Sequence, residues 1–115
     1  MEEGSIVRIA LPQSNGNLRS RPALILKKVK PYDDYLLCSI SSKIHNEIKD
    51  LDIVIGIEHP DFVSSRLKYP GLIRTANLFT IPASLIEGKI GFISEQTHDK
   101  ILQNLSKFIL NRRKQ

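Results

Sequence analysis

The chain has 115 residues, 41% of them hydrophobic, which is enough apolar material for one modest core and gives no reason to look for a second domain. A single cysteine excludes an intrachain disulfide framework, no apolar run reaches bilayer length, and Met1-Glu2-Glu3 is acidic where a signal peptide needs positive charge, so a soluble cytoplasmic protein is expected. The formal charge of +5 suits an anionic partner; residues 1–60 hold eight Lys/Arg and eight Asp/Glu, residues 61–115 hold nine and four, and residues 19–30 carry five bases and no acid.

Gly4-Ser5 opens a first predicted strand, Ile6 to Leu11, whose β-branched and apolar residues flank Arg8, and Pro12 ends it. The polar segment Gln13-Ser14-Asn15-Gly16-Asn17 is a loop with an Asn-Gly turn signal. The second strand is led by Arg19-Ser20-Arg21-Pro22. Pro22 biases Arg21 towards an extended conformation at the strand entrance. The run Ala23-Leu24-Ile25-Leu26 has no polar alternation and reads as a strand buried on both faces or crossing a small barrel. An exposed turn from Lys27 to Asp34 leads to a third strand, Tyr35 to Ile40, which holds Cys38 as a small buried hydrophobe and ends at Ser41-Ser42.

Lys43 to Asp50 reads as a charged loop. Asp52 to Glu58 reads as a fourth strand with Ile53, Ile55 and Ile57 on one face, stopped by His59-Pro60. Asp61 to Pro70 is a connector. Three short strands are then expected: Gly71 to Thr75, interrupted by Arg74; Leu78 to Ile81; and Lys89 to Ile93. Ser94 is a suitable N-cap for a helix to about Asn111 with Ile101, Leu105, Phe108 and Ile109 on one face, and Arg112-Arg113-Lys114 falls where the helix dipole favours cations. Many short strands followed by one amphipathic helix give an α+β fold built on a small, strongly bent barrel.

Familiar catalytic sets are missing. His45, His59 and His98 stand apart from any cysteine or carboxylate at metal-ligand spacing, and there is no Gly-rich phosphate loop, serine elbow or embedded carboxylate pair. What remains is Arg21, Arg74 and Arg19 with the Ser41-Ser42 pair. Arginine forks with a hydroxyl suit a phosphodiester and charge growing on it; the structural alternative is that Arg21 and Arg74 pair with acids inside the barrel.

Glycine before an apolar first strand, a polar loop, then Arg21-Pro22-Ala23-Leu24-Ile25-Leu26 resembles the opening signature of the PemK/MazF family of toxin endoribonucleases from toxin–antitoxin pairs. Ser39-Ile40-Ser41, Gly71-Leu72-Ile73-Arg74 and Leu78-Phe79-Thr80-Ile81 are similar to later family segments at the expected spacing, so the resemblance spans the chain from about Gly4 and is taken as one PemK/MazF-like domain, residues 1–115. It implies an SH3-like barrel with a C-terminal helix, a homodimer, a small acidic antitoxin as partner, no cofactor, and metal-free cleavage of single-stranded RNA such as mRNA. In that scheme the substrate's 2′-hydroxyl attacks the adjacent phosphate, leaving a 2′,3′-cyclic phosphate and a 5′-hydroxyl. The resemblance gives catalytic roles to Arg21 and Ser41, and Arg74, on the similar apolar strand, is counted with them. RNA contacts are expected at Arg19, Ser42, Lys43, Thr75 and Asn77, and at Gln13, Asn15 and Asn17 from their own hydrogen-bonding side chains, because that loop lacks the family's glycine and glutamate pattern. Arginine stays protonated, so Arg21 fits a charge stabiliser or acid, and the base is unassigned. The chain departs from the family at Ser41, where threonine is usual, at Ala76, where some members carry aspartate, and at Phe79, where arginine is common. An alternative from another class is a catalytically weakened barrel that binds RNA or a protein.

Overall fold

A computed structural model describes residues 1–111; Arg112-Arg113-Lys114, read above as a basic helix end, lie outside them. Its sheet is six-stranded and antiparallel, ordered β4-β5-β3-β2-β1-β6, with β1 Ser5–Pro12, β2 Leu18–Val29, β3 Asp34–Ser41, β4 Ile53–Ile55, β5 Gly71–Pro82 and β6 Ile86–Phe92. The short helix α1, Phe62–Ser65, precedes β5, and α2, Glu95–Leu110, follows β6. The sheet curls into a half-barrel whose end strands β4 and β6 do not pair with each other.

β2 is the spine, as the unbroken run Ala23–Leu26 predicts: all four residues are fully buried. Alternation sends them to opposite faces. Leu24 and Leu26 join Ile6, Cys38, Ile40, Ile73, Ile101 and Leu105 in the larger cluster. Ala23 and Ile25 join Val7, Ile9, Tyr35 and Leu37 in the smaller one, closed by Phe79, Ile81 and Ile86. One strand therefore feeds two cores. Pro22 is tolerated because the ladder with β3 begins one residue later, at Ala23–Ser39.

Four expectations need correcting. The turn expected from Lys27 begins only after Val29, because Lys27, Lys28 and Val29 stay paired with Leu36, Tyr35 and Asp34 of β3. The two short strands expected around Arg74 and Leu78 are one strand, β5, bent where its pairing with β3 jumps from Cys38–Leu78 to Ser39–Arg74 and leaves Thr75, Ala76 and Asn77 looped out of register. The fourth strand stops at Ile55; Ile57 is 73% exposed because the chain turns at Gly56 to bond His59 N–H. The apolar face of α2 is only half used: Ile101 and Leu105 are buried, whereas Phe108 and Ile109 are 54% and 65% exposed. The N-cap is as expected, with the Ser94 hydroxyl accepting from the Thr97 amide at 3.2 Å.

The connector 61–70 contains α1, which bridges the open seam of the sheet. Ser64 donates its hydroxyl to the Phe92 carbonyl of β6 at 2.9 Å. Gly91 passes beneath the carbonyls of Ser64 and Ser65, so closely that a β-carbon would collide with both. Arg66 then takes a left-handed conformation (φ 58°), ending α1 and turning the chain towards β5.

Candidate functional site

The end of β2 that carries Arg21 opens into a cleft of about 250 Å³. One wall comes from the sheet: Arg8 of β1, Arg21 and Pro22 of β2, and Ile40, Ser41 and the following Ser42 at the end of β3. Arg8 is held by pairing with Pro22 on one side and Gly88 of β6 on the other. Ile90 of β6 adds apolar floor, and the other wall is the segment Arg66–Gly71.

That second wall is fixed by packing. Leu67 packs against the main core, and its Cδ1 lies 2.8 Å from where a β-carbon on Gly71 would stand; Ile40 Cγ2 lies 3.0 Å from the same point. Glycine at 71 thus lets the wall lie close against the end of β3. The Leu67 amide donates to the Ser65 hydroxyl at 3.2 Å, so the turn out of α1 is hydrogen-bonded as well as packed.

Four cations, Arg8, Arg21, Arg66 and Lys68, line the cleft with no carboxylate among the lining residues. The buried-pair alternative is not what forms: among the described residues the ion pair present is Lys27–Glu3, at 3.8 Å, and it involves neither Arg21 nor Arg74. Uncompensated arginines in a partly enclosed space attract anions, and guanidinium forks match phosphate oxygens. Ser41 Oγ accepts the Lys43 amide at 3.0 Å, which leaves its own O–H to donate elsewhere.

The sequence-nominated residues divide. Arg21, Ser41 and Ser42 line the cleft together. Arg19 is exposed on β2 opposite Leu11, and Lys43 is exposed just beyond Ser42. Arg74 is exposed but does not line the cleft; it pairs across the ladder with Ser39, beside Asn77, whose amide donates to Ser39 Oγ at 2.7 Å. In the β1–β2 loop the Asn15 side chain is engaged locally, accepting the Asn17 amide at 3.0 Å, while Gln13 and Asn17 close the turn through their backbones. Thr75, expected to contact RNA, is fully buried at the β5 bulge, its amide bonded to Asp52, and presents nothing to a ligand.

Sequence reasoning missed Arg8, Arg66, Lys68 and Tyr69. Arg8 carried a local signal, a charge inside an apolar strand. The other three looked like an ordinary polar connector, because only folding brings that segment opposite Arg21.

The histidines have structural partners or stand apart. His98 is buried and donates Nε2–H to the Leu26 carbonyl at 3.0 Å, while His59 Nδ1 accepts the Asp61 amide at 2.9 Å. His45 is exposed in a single 3₁₀ turn and does not line the cleft. Among the described residues no three His, Cys, Asp or Glu side chains gather as a metal site, and no helix is long and apolar enough to cross a membrane.

A family model described as PemK-like, MazF-like toxin of type II toxin–antitoxin system matches residues 2–109. No curated protein sequence matches the chain significantly. Among solved structures, an endoribonuclease in complex with its cognate antitoxin from a mycobacterial species superposes with TM-score 0.72 at 14% identity, covering 99% of both chains. The MazE-MazF structure from Deinococcus radiodurans gives 0.73 at 13% identity with 97% of each chain covered. The Mycobacterium tuberculosis toxin MazF-mt6 gives 0.68 at 16% identity, covering 94% of this chain and 99% of the other. At such identities these likenesses speak for the fold.

Proposed function

The chain belongs to the PemK-like, MazF-like toxin family of type II toxin–antitoxin systems, and from that membership we propose that it is an endoribonuclease that cuts single-stranded RNA without metal. The observation that carries this reading is the cleft in which Arg21 and Ser41 stand together among four cations and no carboxylate.

In this scheme the substrate's 2′-oxygen forms a bond to the adjacent phosphorus while the bond from phosphorus to the 5′-oxygen breaks. Negative charge grows on the non-bridging oxygens. Arg21 neutralises it with a bidentate pair of N–H donors, and the Ser41 hydroxyl donates a further hydrogen bond. The 2′-hydroxyl gives up its proton to water as it attacks and the departing 5′-oxygen takes one from water to leave as a hydroxyl, so no net proton is consumed, and the other product is a 2′,3′-cyclic phosphate. Arg74, outside the cleft lining, is assigned to a flanking phosphate in this reading rather than to the cut itself. A small antitoxin with an acidic segment is the restraining partner, held by the same cations, and the solved antitoxin complexes of similar fold support that pairing. The protein acts as a homodimer in the cytoplasm; a monomer by light scattering at working concentration overturns the dimer.

The test is incubation with a long single-stranded RNA in EDTA, with mapping of the cut ends. The expected result is discrete cuts bearing cyclic phosphates, reduced about 10²–10³-fold by Arg21→Ala. Unchanged cutting by that variant removes this site assignment. A second reading, a binding module without catalysis, is favoured by Phe79, which packs on the smaller core where the family commonly has arginine. It predicts salt-sensitive RNA binding and no cyclic-phosphate product.

A further inference from the structure

Tyr69 is 72% exposed in the connector that leads into β5. It lines the cationic cleft between Lys68 and Pro70. Pro70 restricts its backbone to extended conformations. One residue further, Gly71 starts β5, and two residues before, Leu67 is seated against Ile40 and the main core. Leu67 anchors the wall inwards, so Arg66, Lys68 and Tyr69 form its rim. A large aromatic ring on a segment anchored by Leu67 and lining the same cleft as Arg8, Arg21, Arg66 and Lys68 offers a flat apolar face among cations.

We propose that Tyr69 is the base-stacking residue of the cleft, receiving one nucleobase of a single-stranded nucleic acid while Arg66 and Lys68 hold the phosphates on either side. The proposal rests on the RNA reading of the site and adds a recognition element that the catalytic pair does not supply. Rings need a flat face and phosphates need donors, and this wall presents both. An acidic peptide would use the cations and have no need of the ring. Stacking accepts any base, so Tyr69 sets where a nucleotide lies along the cleft more than which nucleotide it is.

The test uses two probes that share charge and differ in bases: a labelled 2′-O-methyl oligoribonucleotide of mixed sequence, which cannot be cut because its 2′-oxygens are blocked, and inorganic polyphosphate as competitor. Tyr69→Ala is expected to weaken oligonucleotide binding roughly 5- to 150-fold. Polyphosphate competition stays as in the unaltered protein, and Tyr69→Phe, which keeps the ring, restores oligonucleotide binding. With cleavable RNA, Tyr69→Ala raises KM by a similar factor at unchanged kcat. Equal binding of the oligonucleotide by Tyr69→Ala and unaltered protein overturns the proposal. So does parallel loss of both probes, which would mean a collapsed wall. An unaltered protein that binds the oligonucleotide but cuts no RNA removes the endoribonuclease reading and leaves the stacking role standing; one that binds no oligonucleotide removes both.

Discussion

The Asp52 carboxylate accepts the Thr75 backbone amide through Oδ1 at 3.1 Å, while its Oδ2 accepts the Ile48 amide at 2.9 Å. One buried side chain thus ties the loop before β4 to the bulge of β5, where Thr75 to Asn77 have left the ladder. The Thr75 amide would otherwise be a buried donor without an acceptor, whereas the amide of exposed Ile48 has water within reach. Asp52→Ala is expected to cost about 1–3 kcal/mol, chiefly from the orphaned Thr75 amide. Thr75→Val should be neutral or stabilising, since the Thr75 hydroxyl is buried with no partner to lose. Urea melts of the two variants check this pair of opposite signs.

Asp61 gives the fold an acid limit. Burial of its carboxyl favours the neutral form, but hydrogen bonds from Thr97 and from the Ser94 amide and hydroxyl outweigh that, and the nearby His59 adds to them, holding it below its ordinary 3.8. The unfolded chain therefore takes up this proton more readily than the folded one. The associated stability is fully present above about pH 4 and is lost as pH falls through the folded-state value. Asp61→Asn should flatten the acid side of a plot of Tm against pH, and an unchanged acid limb would show that other carboxyls set it.

Cys38 is expected to be inert. Burial, with the Asp52 charge adding to it, pushes its thiol up from 9.0 to about 12, so the nucleophilic thiolate is scarce at neutral pH. Its contribution to stability is fully present below pH 9.0 and declines above it, as the unfolded chain ionises first. A thiol reagent should label the native protein only as fast as it unfolds; prompt stoichiometric labelling at pH 8 would contradict the burial.

Gly91→Ala should be among the more damaging single-carbon additions. The new methyl would meet the backbone carbonyls of Ser64 and Ser65, which have no side-chain freedom to give way. A loss of about 1–3 kcal/mol is expected. At Gly71 the obstruction includes the movable tip of Leu67, so the alanine variant there should cost less stability while displacing the cleft wall. Thermal melts rank the two.

Charge removal from the cleft has its own signature. Arg8→Gln, Arg66→Gln and Lys68→Gln should each weaken RNA binding across sequences, and each should reduce the slope of log affinity against log salt by about 1. Arg8 is the discriminating case, since it stands on the sheet wall with Arg21 whereas Arg66 and Lys68 stand on the connector. A slope left unchanged by Arg8→Gln would take it out of the phosphate-contacting set.

Local rules located most of the architecture. The apolar run Ala23–Leu26 declared itself as the spine because burial on both faces leaves no room for polar alternation, and Ser94 declared the start of α2 through its capping chemistry. The failures share a cause, which is long-range contact. Thr75, Ala76 and Asn77 look like a break between strands, but Asp52, twenty-three residues away, takes the amide that the break frees. Ile57 keeps the strand period without a partner strand to reward it. Phe108 and Ile109 keep the helix period past the part of the sheet that α2 covers. Within the cleft, the wall at Arg21 and Ser41 was legible because it lies on strands; the wall at Arg66 to Tyr69 was not, since its position depends on how Leu67 packs.

The sheet is open between β4 and β6, and the cleft is bounded by Ile90 of the β6 edge with β1, β2 and β3 on one side and by the connector Arg66 to Gly71, which continues into β5, on the other. Between these edges the link is α1 with its Ser64 hydroxyl on Phe92. A polyanion seated between these walls would tie the connector to the sheet and cancel the mutual repulsion of the four cations gathered there, so the loaded protein should melt at a higher temperature than the empty one.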